Sequence, residues 1–390
     1  MDNVFNIEGQ CFGCSACSIV CPSNAIVMNK NSEGFITPFL DEKKCVSCGL
    51  CLKVCDKNKT NCKTKYIKLA ALQSKNAIDL KDSSSGGIAS TLSRYYLDND
   101  CYVVGSYFDL KNNVVQSKVV NKNNELELLK KSKYLQSDFS NGLAEAIKIA
   151  KEDNKAKFLV FGTPCQINGA ANVCEFYGIN DRFIFVDFFC HGVPSYLVWD
   201  KYLKEHKLNS DDLKSVTFRD KINGWHSCFI MNVADSKKSI RIPSGRDSFY
   251  GAFFDNTFLM KSCYHCDFRK GYSKADIRLG DYWGSRFVRN QEGISSVIVF
   301  SERGEKLLQK IDVKEFQSGE DLFNAQSTKD YLEEKYRKVA FESLKDSDTL
   351  LKAIKSYRKE FSIKRRVKLW LKRVTYTILP LSIINKLKIK

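Results

Sequence analysis

The chain has 390 residues, enough for two or three domains, and its 43% hydrophobic and 12% aromatic content excludes a disordered protein. Sixteen cysteines would read as disulfides in a secreted chain, but "MDNVFNIEGQ" shows no basic stretch followed by an apolar one, so a reducing cytoplasmic compartment with metal-binding thiols is expected. The formal net charge of +17 invites a nucleic-acid partner, yet nine basic and no acidic residues fall between Ser362 and Lys390; the excess sits in one tail, and no nucleic acid is expected. No apolar run reaches the roughly 18 residues that a spanning helix needs.

The first 56 residues repeat one cysteine rhythm. "CFGCSACSIVCP" spans 11–22 and "CVSCGLCLKVCD" starts at Cys45. Thiolates suit zinc or iron-sulfur clusters. Zinc ribbons use separated CxxC pairs, whereas in runs of this kind three cysteines hold one cluster and the fourth reaches across to another. The spacing predicts one 4Fe-4S cluster on Cys11, Cys14, Cys17 and Cys55, and a second on Cys45, Cys48, Cys51 and Cys21. The second run ends Cys55-Asp56 where the first has a proline, a change that touches only the exit turn. "AIVM" and "GFITPFL" between the runs predict short strands of a small ferredoxin-like βαββαβ module over 1–62. Two adjacent clusters make a one-electron path, which needs something at its other end.

"DSSSGGIASTL" (82–92) opens an amphipathic segment that runs through Arg94 and Tyr95. Serines and paired glycines ahead of a helix offer N–H groups and hydroxyls to an anion. The same residues also make an ordinary helix cap. The segment is neither a Walker loop nor a GxGxxG fingerprint; a phosphate-bearing cofactor is one expectation.

"KFLVFGTPC" and "RFIFVDFFC" predict buried strands ending at Cys165 and Cys190. Between them "QINGAANVCEFYGIND" predicts a helix that stops at Gly178. A right-handed crossover lays the strands parallel and brings both cysteines to one carboxyl edge, where such sheets place ligands. "CYHC" adds Cys263 and Cys266, and the four thiolates read as a third 4Fe-4S cluster. Buried cysteine is also a common core residue; Cys62, Cys101, Cys174 and Cys228 are read that way.

Beyond about residue 300 the chain is helix-prone and charged. "SIKRRVKLWLKRVTYTIL" puts Val367, Trp370, Leu371, Val374 and Ile378 on one helical face and Lys364, Arg365, Lys368 and Lys372 on the other. Such a helix either lies on an anionic membrane surface or docks its apolar face on the body. Peripheral association at the inner face of the membrane through 362–390 is therefore one expectation.

Six separated motifs carry a family resemblance: "SSSGGIAS" (83–90), "KSKYLQS" (131–137), "FGTPCQINGA" (161–170), "DFFCHGVPS" (187–195), "FRDKINGW" (218–225) and "CYHCDFRKGYSKADIRLGDYWG" (263–284). With the cysteine runs, they make the chain resemble the beta subunit of coenzyme F420 hydrogenase and dehydrogenase, with a fused two-cluster ferredoxin. The resemblance implies an α/β (α+β) fold: a non-Rossmann domain over 66–300 that binds FAD and a 4Fe-4S cluster, then a helical extension over 301–390. It implies a ferredoxin or other redox protein as electron partner. Hydride exchange would be with coenzyme F420 or a small organic substrate, such as a carbonyl or olefin of surface-polysaccharide or pigment metabolism. An electron carrier without its own substrate is the alternative.

Carried onto this sequence, the resemblance makes Cys165, Cys190, Cys263 and Cys266 a flavin-proximal cluster. Ser85, Gly86 and Gly87 would face the FAD phosphates, with Lys133, Tyr134, Thr163 and Pro164 as further flavin contacts. His191 is placed to protonate the product, as a site histidine does in related reductases. A structural histidine hydrogen-bonded beside the cluster is the other reading. "LGDYWG", with Asp281 and Trp283, is assigned no chemical role.

Overall fold

The computed structural model describes residues 4–5, 10–57, 63–323, 326, 328–331, 336–364, 366–367 and 371. Each cysteine run bends the backbone twice into the left-handed region. The positions correspond: Gly13 (φ 64°) and Ser15 (φ 68°) in the first run, Ser47 (φ 53°) and Gly49 (φ 71°) in the second. Glycine meets the steric demand at one of the two positions in each run, and serine tolerates the other. Each bend leads into a one-turn helix, α1 (Ala16–Ile19) and α2 (Leu50–Lys53). Between them β1 (Ile26–Lys30) and β2 (Ile36–Leu40) form an antiparallel hairpin. Among the described residues the order is thus α-β-β-α rather than the expected βαββαβ; residues 6–9 and 58–62, which flank this unit, lie outside them.

The larger part begins with β3 (Lys68–Ser74), α3 (Ala77–Lys81), α4 (Ile88–Asp98), β4 (Tyr102–Asp109), β5 (Val114–Val120), α5 (Leu126–Leu129), β6 (Ser137–Asp138) and α6 (Ser140–Glu152). Next come β7 (Phe158–Phe161), α7 (Pro164–Phe176), β8 (Phe183–Phe188) and α8 (Tyr196–Glu205). A separate three-stranded antiparallel sheet consists of β9 (Leu213–Thr217), β10 (Ile230–Asp235) and β11 (Ser239–Pro243). After α9 (Ser248–Phe254) and α10 (Asp267–Lys270), the elements β12 (Ile277–Asp281), β13 (Ser295–Val299), α11 (Glu302–Leu308) and β14 (Val313–Phe316) follow, and α12 (Arg337–Asp346) and α13 (Leu350–Tyr357) close the fold.

Nine strands form one mixed sheet in the order β14-β3-β13-β12-β8-β7-β4-β5-β6. Its centre, β12-β8-β7-β4, is parallel. The architecture is the expected α/β class. The β7-α7-β8 unit forms as the sequence predicts, with Phe158 opposite Phe183. Its helix begins two residues earlier, at Pro164, whose fixed φ and missing N–H suit the first helical position. Gln166 Oε1 accepts from the Thr163 N–H at 3.0 Å and from its hydroxyl at 2.9 Å, closing the N-terminus. Gly178, at φ 67°, ends the helix.

No boundary falls at residue 300. β14 pairs with β3, and Ala340, Phe341, Leu344, Leu350, Ala353, Ile354 and Tyr357 are buried in the core that α8 and α9 share. Each such large apolar side chain contributes about 1.5–3 kcal/mol by leaving water. The expected helical extension over 301–390 is therefore integral to the fold as far as Phe361, itself 3% exposed. Most of 362–390, including Trp370, Val374 and Ile378, lies outside the described residues. Among the described residues no helix is long and apolar enough to cross a membrane.

The cysteine-rich module is seated on the larger part. The Gln136 side chain bonds both the N–H (2.7 Å) and the carbonyl (2.8 Å) of Ile36, as a neighbouring strand would. Arg337, 5% exposed, forks onto the Glu33 carboxylate at 2.9 and 2.7 Å. Asn172 of α7 donates to the Val54 carbonyl and to Asp56, each at 3.0 Å. Asp56 stands where the first run has its proline, and this bond gives it a use there.

Candidate functional site

The cysteines of the two runs group across the runs in the sets that the spacing predicts. Burial raises the Cys14 thiol to about 12, and the nearby sulfurs of Cys11 and Cys55 push the same way. Burial also holds Cys17 well above its ordinary range, with Cys14, Cys11 and Cys55 adding to it. Cys11, Cys14, Cys17 and Cys55 line one cavity of about 210 Å³. Cys21, Cys45, Cys48 and Cys51 line a second, smaller one. The run that supplies three ligands to one cavity supplies the fourth to the other.

Cys165 also lines the larger cavity. It occupies the second position of α7, where free amide N–H groups and the helix dipole favour a thiolate. One turn along, a side-chain carbon at Gly169 would lie 2.9 Å from the Cys14 sulfur, so glycine is what lets the first set approach this helix. Cys190 follows β8 on the same carboxyl edge. Cys263 ends a short turn packed against Gly192, and Cys266 caps α10. Burial raises Cys165 well above its usual range, and the sulfurs of Cys190, Cys266 and Cys263 raise it further. Burial, then Cys190 and Cys266, pushes Cys263 up to about 12. The four thiols predicted for a third centre are brought together.

The donor sets fit 4Fe-4S clusters. The hydroxyls of Ser15 and Ser262 and the Nη1 of Arg269 are buried without a protein partner, and each adjoins one of the cysteine sets, where cluster sulfur would accept from it. Among the described residues no three His, Cys, Asp or Glu side chains converge tightly enough for a single ion.

The residues nominated for FAD behave differently. Gly86 donates its N–H to Ser295 Oγ at 3.1 Å, and its carbonyl accepts from the Ser74 N–H at 2.7 Å. A side chain there would meet Ser295 N at 2.5 Å and the Leu72 carbonyl at 2.6 Å; the glycine lets this loop lie against β3 and β13. Gly87, at φ 82°, presses on Ser74 and Asp79. Ser85 Oγ donates to the Ile294 carbonyl at 3.1 Å. Lys221 holds the loop from outside, donating to the carbonyls of Leu80, Ser85 and Glu292. Lys133 caps the end of α5 through the Leu129 and Lys130 carbonyls at 2.9 and 2.6 Å, and burial lowers its pKa to about 7. Thr163 and Pro164 build the start of α7. As placed, the loop and Lys133 do not present a free cradle for a diphosphate. Flavin loss on enlarging Gly86 would report broken strand packing, not a phosphate contact.

His191 takes the structural reading. Its Nε2 lies 2.6 Å from Asn256 Oδ1 and its Nδ1 3.0 Å from the Tyr331 hydroxyl. Burial lowers its pKa to about 4. Both ring nitrogens are engaged within the chain, an arrangement that fits the structural reading and leaves the protonating role untested. Tyr134, in contrast, sits centrally. Its ring packs on Phe253 at 5.3 Å and Phe229 at 5.9 Å, and Phe253 packs on His191 at 4.7 Å, making an aromatic wall beside the third cysteine set.

One group on this edge was not nominated from the sequence. Arg219, 3% exposed, forks onto Asp281 at 2.7 and 3.1 Å and reaches the Cys228 sulfur at 2.6 Å. Trp225 donates to Asp281 at 2.7 Å and stacks on Trp283 at 4.7 Å. "FRDKINGW" and "LGDYWG" supply all of it except Cys228, and nothing in the sequence joins the two segments.

Residues 155–335 match the family model for the C terminus of the coenzyme F420 hydrogenase/dehydrogenase beta subunit, and residues 10–59 match a 4Fe-4S dicluster domain. Just under half of the chain is thus matched by this beta-subunit family, and the dicluster match lies ahead of it. Behind the dicluster module, the family's C-terminal domain supplies the β7-α7-β8 edge and all four thiols of the third set. A coenzyme F420-dependent sulfite reductase from Methanocaldococcus jannaschii is 24% identical over 326 residues, covering 79% of this chain and 47% of its own length. The chain thus spans about half of that relative. A chain of the F420-reducing [NiFe] hydrogenase complex of Methanosarcina barkeri is similar over 77% of this chain and 95% of its own, at 18% identity and a TM-score of 0.48.

Proposed function

We propose that the chain is an iron-sulfur oxidoreductase that passes electrons between an external one-electron carrier of ferredoxin type and an organic hydride partner, coenzyme F420 or a small organic substrate. The observation that carries this reading is the shared cavity, in which Cys165 of the third set stands among Cys11, Cys14, Cys17 and Cys55 of the first. When bound, 4Fe-4S clusters supply one-electron transfer and a flavin pairs electrons into hydride equivalents.

The chain's own residues give the path its two ends. Cys48 is exposed and Val46 beside it is 65% exposed, so the outer cysteine set faces a carrier. At the inner end, the aromatic wall around Tyr134 excludes water, and the Arg219-Asp281 pair gives that wall a polar border. The relatives' F420-linked chemistry supports an F420-type partner. FAD enters through the family resemblance, since the serine-glycine loop and Lys133 are engaged within the chain. A peripheral position at a cytoplasmic membrane face belongs to the same proposal. Ile363, Val367 and Leu371, four residues apart on a helix, are 77%, 49% and 53% exposed.

Anaerobic purification followed by cofactor extraction tests the reading. About one FAD per chain is expected beside the iron. Protein with full iron, no flavin and no hydride acceptor would be an electron carrier only.

A further inference from the structure

Arg269 is 3% exposed and lies against the third cysteine set. Its Nε donates to the Cys190 carbonyl at 3.4 Å and its Nη2 to the His191 carbonyl at 3.0 Å; its guanidinium lies 4.0 Å over the Tyr331 ring. Its backbone N–H bonds the Cys266 carbonyl at 3.1 Å. The side chain thus reaches the backbone of Cys190 from the helix that Cys266 opens. Its Nη1 has no partner.

A second arginine on this edge shows the contrast. Arg278 is equally buried, but Asp187 matches its charge with bonds of 2.7 and 2.6 Å. Among the described residues no carboxylate matches Arg269. An unpaired buried charge is strongly destabilising unless an anion meets it, and a cluster on four cysteine thiolates is such an anion. Its negative charge increases when it accepts an electron.

We propose that Arg269 sets the reduction potential of the third cluster, as an unmatched buried cation beside Cys190, Cys263 and Cys266. This rests on the reading of those residues with Cys165 as a cluster site. In the step concerned, one electron leaves the dicluster module, which is oxidised, and reduces the third centre. No proton moves; the fixed charge of the guanidinium offsets the added electron. Arg269 is thus a positioning residue for charge, raising the potential of the inner centre relative to a neutral residue in its place.

Redox titration of the full chain, followed by electron paramagnetic resonance, tests this. The Cys165→Ala variant gives the spectrum of the two dicluster centres alone, and the wild type minus that spectrum isolates the third. In Arg269→Gln, which stays polar but loses the charge, the third centre should show about a tenfold lower reduced-to-oxidised ratio at a fixed potential, 59 mV for one electron. Arg269→Lys should stay near the wild type, and the dicluster centres should not move in either variant. An unchanged ratio in Arg269→Gln overturns the proposal. So does loss of the third signal in both variants with the dicluster signals kept, which would make Arg269 a structural support. A wild type without any third signal overturns instead the cluster reading on which the proposal rests.

Discussion

Cys165→Ala is expected to lower the iron content from about twelve to about eight atoms per chain while leaving both dicluster signals in place. Cys165 has no role in the dicluster module's own ligand sets, although it lines the cavity that one of them surrounds. Alanine at the second position of α7 keeps the helix, because the cap rests on Thr163, Pro164 and Gln166. The loss should therefore be local. Cys263→Ala acts on a separate turn, packed on Gly192 rather than on α7, and should give the same count. Iron that stays near its wild-type level in both variants, or falls in step at all three centres, would contradict the assignment of these four thiols.

The second large effect is on stability. Asp187→Leu should destabilise the fold by about 3–5 kcal/mol, read as a lower urea midpoint under anaerobic conditions. Asp187 and Arg278 are register partners on the parallel strands β8 and β12, both in the sheet interior. The carboxylate accepts two bonds from Arg278 and a third from Ser273 Oγ at 2.7 Å. Leucine fills the space but leaves a buried guanidinium without its counter-charge and the buried Ser273 hydroxyl without its acceptor. Asp187→Asn keeps an acceptor for Ser273 and should fall between the two. A midpoint change equivalent to less than about 0.5 kcal/mol for the leucine variant, the range of ordinary surface substitutions, would show that the pair does not hold the two strands.

Much of the site was legible because its signals are local. The cysteine spacing specified the cross-paired sets. The apolar runs before Cys165 and Cys190, with a helix-length segment between them, specified a parallel pair that shares an edge. Contacts made across the chain were not legible. Arg219 meets Asp281, 62 positions further along the sequence, and Cys228, read as an ordinary core residue, lies under that guanidinium. Gly86 and Gly87 leave two readings open for a physical reason: close approach to strand backbone, which both show here, demands the same residue as close approach to a phosphate. Amphipathic periodicity beyond residue 300 showed that helices form, but not that α12 and α13 complete the core begun by α8 and α9. Nor does a histidine beside a ligand reveal its surroundings; the partners Asn256 and Tyr331, 65 and 140 positions away, engage both ring nitrogens of His191.

The most direct test of the account is reduction of the clusters by a hydride donor. Anaerobic full-length protein, loaded with iron and FAD and checked for dithionite-reducible clusters, is mixed with reduced coenzyme F420, and cluster reduction is followed by electron paramagnetic resonance. The account predicts that the dicluster centres become reduced in the wild type and stay oxidised in Cys165→Ala, where the path from the inner edge is broken. Centres that dithionite reduces but reduced F420 leaves oxidised would exclude F420 and leave the small organic substrate as the hydride partner, whereas dicluster centres that F420 reduces equally in both proteins would contradict the path through Cys165.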